Sequence, residues 1–98
     1  MVRIPAGMTG RHLSALFSLP LEGREQGFGE DPGDRNLELE QLGLAVTAIG
    51  RDISHTWISD AGRAIRGRAE PLLPPPAGRY GKDYDEVLQR LKKDDEVG

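Results

Sequence analysis

With 98 residues and no cysteine, the chain is one domain at most, without a disulfide framework or a thiolate metal site to reinforce a small core. Its net charge of -3 excludes the strongly basic balance of a whole-protein polyanion binder, and the charge is segregated, two basic groups standing against seven acidic ones over residues 21–40. No uncharged apolar run approaches the roughly 18 residues of a membrane span and the chain opens without a secretory apolar stretch, so no membrane partner is expected and the setting should be cytoplasmic, or a virion if the source is viral.

Residues 1–36 read as an N-terminal arm rich in Gly and Pro, interrupted by one short helix near 10–18. Thr9 is its N-cap, Leu13, Leu16 and Phe17 share a face, and Pro20 stops it. Leu21 to Gly33 is too polar and Gly-rich for a packed element and reads as a loop. Asp31 followed by Pro32, or Asp34, can cap the helix that comes next and set negative charge against its dipole.

The block that follows carries the main signal. Leu39, Leu42, Val46, Ile49, Ile53, Trp57, Ala61 and Ala64 recur at steps of three or four residues, which is a helix period. The predicted fold is therefore mostly α, with one long central helix over 37–70, short flanking helices and extended Gly/Pro-rich arms. Such a helix would run about 50 Å, and Gly50, followed by Arg51 and Asp52, is where a kink or break belongs. The rival reading makes Leu42 to Ile49, eight uncharged residues in a row, a buried strand. A single helix cannot bury its own stripe, so Leu39, Leu42, Val46, Ile49, Ile53 and Trp57 are the predicted partner-binding residues, unless the chain's two short helices cover them.

Residues 71–82 form a Pro-rich linker whose Pro71 to Pro76 run predicts a stiff polyproline II spacer of about 19 Å. Residues 83–98 hold a C-terminal helix from about 83 to 93 and a tail. There Asp83 and Glu86 read as a cap pair, and Tyr84, Val87, Leu88 and Leu91 repeat at i, i+3, i+4 and i+7.

Catalytic and cofactor motifs are missing. On the central helix Ser59, His55 and Asp52 would share the polar face, but a working triad converges from separate elements onto a cleft with an oxyanion hole. Arg51, Arg63, Arg66 and Arg68 could contact an anion such as phosphate or an acidic protein. His12 and His55 lack a second His at metal-ligand spacing, and Glu30, Asp31 and Asp34 do not follow a calcium-loop order. The Gly27 to Gly33 run is too long and too acidic for a dinucleotide fingerprint, and Gly81-Lys82 lacks the flanks of a P-loop. The expectation is a non-enzymatic structural or adaptor subunit of an oligomer or larger complex, with protein partners and no cofactor. A virion connector or cement-like component is one instance by analogy. The alternatives are a nucleic-acid-associated protein using the Arg face, which the acidic balance makes the weaker reading, and an enzyme's regulatory subunit.

Overall fold

In the computed structural model, which describes residues 2–28 and 33–97, the first helix, α1 (Gly10–Ser18), follows its N-cap Thr9 as the sequence predicts. Leu13 and Leu16 are fully buried, the His12 ring accepts the Thr9 backbone N–H at 2.9 Å, and the helix closes at Leu19, just before Pro20.

The segment expected as one helix over 37–70 is four elements instead: α2 (Asp34–Gln41), β2 (Ala45–Ile49), β3 (Ile53–Ile58) and α3 (Asp60–Ala69). A further strand, β1 (Glu25–Phe28), arises inside the predicted loop, and the sheet order is β1-β3-β2, antiparallel throughout. The mostly α, one-long-helix expectation is therefore overturned: the described residues form four helices and a small sheet. The rival strand reading of Leu42 to Ile49 is the nearer one, although of β2 only Ala45 is buried.

Gly43 breaks the helix. At φ +77° it takes the left-handed conformation that an L side chain resists, so the Gly43 N–H reaches the Glu40 carbonyl and the Leu44 N–H the Leu39 carbonyl, both at 2.9 Å. Leu39 and Leu44, on either side of this stop, are both fully buried. The next helix is tied to the same turn. Ser59, the N-cap of α3, accepts the Gly62 N–H at 3.0 Å and donates its hydroxyl to the Gly43 carbonyl at 2.6 Å. Gly62 lets the α3 backbone approach the turn before β2, since a Cβ there would lie 2.1 Å from the Leu44 carbonyl oxygen.

The Pro-rich linker is not a continuous polyproline spacer. It holds two 3-10 turns, Glu70–Leu72 and Pro76–Gly78, each with Pro in its first positions, while Leu72 and Leu73 pack onto the core. The last helix, α4 (Gly81–Val97), is longer than the expected 83–93 and buries Val87, Leu88 and Leu91 as its periodicity predicts. Asp83 lies within its first turn rather than at the cap, and its carboxylate accepts the Tyr80 N–H at 2.7 Å. Asp34 stands in the first turn of α2, whereas the Asp31–Pro32 cap and the Glu30 carboxylate lie outside the described residues.

The expected extended N-terminal arm folds back on its own chain. Met8 is fully buried, the Ile4 N–H donates to Asp95 Oδ2 at 2.7 Å, and Lys92 Nζ donates to the Met8 carbonyl at 2.7 Å. Met8, Leu13, Leu16, Leu19, Ile65 and Leu88 thus form one core among α1, α3, α4 and the arm, with Leu39, Leu44 and Ile58 carrying it toward the sheet.

Candidate functional site

Residues directly opposite one another in an antiparallel pair project from the same face. The register Ala45↔Ile58, Thr47↔Thr56 and Ile49↔Ser54 therefore sets Ala45, Thr47, Ile49, Ser54, Thr56 and Ile58 on one face, with Glu25 opposite Thr56. Val46, Ala48, Ile53, His55 and Trp57 occupy the other, with Gln26 opposite His55.

α2 packs on the first face through polar groups. Asn36 Nδ2 donates to Thr56 Oγ1 at 3.2 Å and to Glu25 Oε1 at 3.1 Å, and Arg35 pairs with the same Glu25 oxygen. Ser54 and Thr56 are each 1% exposed. No described helix packs on the second face, where Val46 is 40% and Ile53 38% exposed, Ala48 is exposed, and His55 and Trp57 are half-buried. The covered face thus buries Ser54 and Thr56 beside Ala45 and Ile58, while the other face leaves Val46 and Ile53 exposed.

Charge and a polar handle border this open face. The Arg24 guanidinium lies 4.5 Å from the Trp57 ring centroid, a cation-π contact that keeps a cation over the apolar surface. His55 Nδ1 is the one buried side-chain nitrogen or oxygen without a hydrogen-bond partner among the described residues. At the hairpin end a shallow hollow of about 450 Å³ is lined by Ala48, Ile49, Arg51, Asp52, Ile53 and His55.

The predicted partner-binding residues divide accordingly. Val46, Ile53 and Trp57 come together on the open face; Leu39 is in the core, Leu42 packs partly against it, and Ile49, 57% exposed, stands on the opposite face at the hairpin end. Ala48, His55 and Arg24 were missed as members of the site. The signal for His55 was the β-branched and aromatic alternation of residues 53–58 behind a Gly50-Arg51-Asp52 turn.

Three of the four arginines considered for anion contact hold the fold together. Arg63 donates to the Leu21 carbonyl at 2.7 Å. Arg66 donates to the Leu16 and Leu19 carbonyls at 3.3 and 2.8 Å, capping the end of α1, and lies 4.9 Å from the Phe17 ring centroid. Arg68 donates to the Val2 carbonyl at 2.8 Å and pairs with Asp95 at 2.9 Å. Arg51, in the hairpin turn, is exposed.

The Ser59, His55 and Asp52 trio is not assembled. Ser59 is committed to its cap, and four residues along an extended chain separate it from His55 by about 13 Å. Among the described residues no three His, Asp or Glu side chains gather as metal ligands, and no helix is long and apolar enough to cross a membrane. Comparison with protein-family models, with curated proteins and with solved structures finds no match.

Proposed function

We propose that this chain is a non-enzymatic adaptor or assembly subunit that docks a protein partner on the open face of its sheet. The observation that carries the reading is the uncovered second face: Val46 and Ile53 stand exposed beside the half-buried Trp57, and no described helix packs over them. The partner that fits is a protein element with an apolar face and acidic flanks, because Arg24 over Trp57 and Arg51 at the hairpin tip supply cations at the rim. The nucleic-acid alternative draws little support, since of its four arginines only Arg51 has no hydrogen bond or ion pair among the described residues.

Trp57 is the sole tryptophan, which makes the test direct. A complex rebuilt from purified components should shift Trp57 emission to the blue. Val46→Thr with Ile53→Thr should weaken it while leaving the denaturation midpoint near that of the parent. A rebuilt complex that leaves the emission unmoved and tolerates both substitutions would overturn the proposal.

A further inference from the structure

β2 is an edge strand without the usual guards. Ala45-Val46-Thr47-Ala48-Ile49 carries no charge and no proline, and its pairing with β3 runs without a bulge. The other edge, β1, begins beside Arg24 and carries Glu25. The phase of the ladder decides which β2 groups face outward. The Ser59 N–H bonds to the Leu44 carbonyl and the Gly50 N–H to the Ile53 carbonyl, so residues 44, 46, 48 and 50 turn their backbone polar groups to β3. Residues 45, 47 and 49 turn theirs away. Ala45 is covered, whereas the backbone groups of Thr47 and Ile49 meet no partner beyond the strand among the described residues.

We propose that a second copy of this chain pairs antiparallel along β2, about a two-fold axis through Ala48, to join two three-stranded sheets into one of six. The strand is complementary to itself in that register. Thr47 of each copy faces Ile49 of the other, and their outward N–H and C=O groups form four hydrogen bonds in two symmetric pairs. Both are β-branched, which suits cross-strand contact. Ala48 meets its own equivalent at the closest, non-hydrogen-bonded position, where the Cα atoms approach to about 4.5 Å and a small side chain fits best.

Charge does not oppose the pairing. The strand itself carries none. The symmetric, isologous contact is also the commonest way for a chain to pair with itself. So short an edge falls below the roughly 1,200 Å² of a standard interface, so the dimer should dissociate on dilution. The inference goes beyond the docking of a partner, because it uses the edge and leaves the open faces of the two copies side by side and exposed.

Because the chain has no cysteine, Ala48→Cys introduces a single thiol on the open face, beside the axis. Sedimentation of the parent should show a concentration-dependent monomer–dimer equilibrium. Mild oxidation with diamide should convert the Ala48→Cys chain to a disulfide dimer while an Ile53→Cys control forms no cross-link. Ile49→Lys should abolish the dimer with an unchanged circular dichroism spectrum. Ile49→Pro should do the same, its lost N–H being one that faces away from β3. A parent that stays monomeric at every concentration, a dimer that survives both Ile49 variants, or no cross-link at position 48 would each overturn the proposal. None of these results depends on Trp57 emission in a complex with another protein, so edge pairing and partner docking fail separately.

Discussion

The two ends of the molecule solve opposite packing problems. At the helical end, Leu13, Leu16, Ile65 and Leu88 are withdrawn from water, and charged side chains clamp carbonyl groups around them, as Arg66 does at the end of α1. At the sheet, Asn36, Glu25 and Thr56 hold the inner face together with polar bonds, and the aliphatic groups of Val46 and Ile53 remain outside. Ala45 and Ile58 are buried on that inner face as well, so what sets the sheet apart from the helical end is the aliphatic surface left on its other face.

The largest expected contrast lies between matched aliphatic truncations. Leu16→Ala empties a fully buried site and should cost about 2–5 kcal/mol, whereas Ile53→Ala, on the open face, should cost less than about 1 kcal/mol. Urea denaturation of the two variants measures the difference. Equal losses would mean that the open face belongs to the core.

A second contrast sits within one helix. Gly62→Ala drives a methyl group into the Leu44 carbonyl and should destabilise by about 1–3 kcal/mol. Gly67→Ala, which meets nothing within 4 Å, should stabilise by about 0.5–1 kcal/mol through helix propensity. Thermal melts of the two should shift in opposite directions. If Gly62→Ala is also tolerated, α3 is not pinned to the turn before β2 and the hairpin can move relative to the helices.

The arginines give a third. Arg66→Ala removes two bonds from a charged donor to the carbonyls ending α1 and should cost about 1.5–3 kcal/mol. Arg51→Ala, at an exposed turn, should stay within about 0.5 kcal/mol of the parent. Similar values would remove the distinction between structural and surface arginines.

What could be read from the sequence tracks how local each element is. α1 and the middle of α4 declare themselves through caps and apolar spacing within a few turns, and both appear where expected. The central segment misled because Leu39, Leu42, Val46, Ile49, Ile53 and Trp57 satisfy a helix period by coincidence while Gly43 and Gly50 interrupt it. Ser54 and Thr56 hid the strand period, since both are polar yet buried, and the Thr56 hydroxyl is met by Asn36, twenty residues earlier in the chain. β1 has almost no signal of its own and exists by pairing with β3. The roles of Arg63, Arg66 and Arg68 were illegible for the same reason, their backbone acceptors lying more than forty residues away at Leu21, Leu16, Leu19 and Val2 and the Asp95 carboxylate twenty-seven residues from Arg68.

The smallest effect concerns the N-terminal arm, the part of the helical end held most by charge. The Arg68 guanidinium, then the Ile4 N–H, with Arg3 adding to them, keep the Asp95 carboxyl below its ordinary value against the opposing effect of burial. A carboxyl whose folded value is depressed contributes stability that is present above its unfolded value and is lost as the pH falls through the folded one. The stability difference between the parent and Asp95→Asn should therefore be present at neutral pH and shrink toward zero on acidification below the usual carboxylate range, where the parent's Asp95 is neutral too. Over the same window the Ile4 amide resonance, whose N–H points at Asp95 Oδ2, should titrate in the parent and stay still in the variant. Denaturation at a series of pH values, with amide spectra at the same points, measures both. A difference independent of pH would mean that packing of Ile4 and Met8, rather than the Asp95 charge, holds the arm to the helical end.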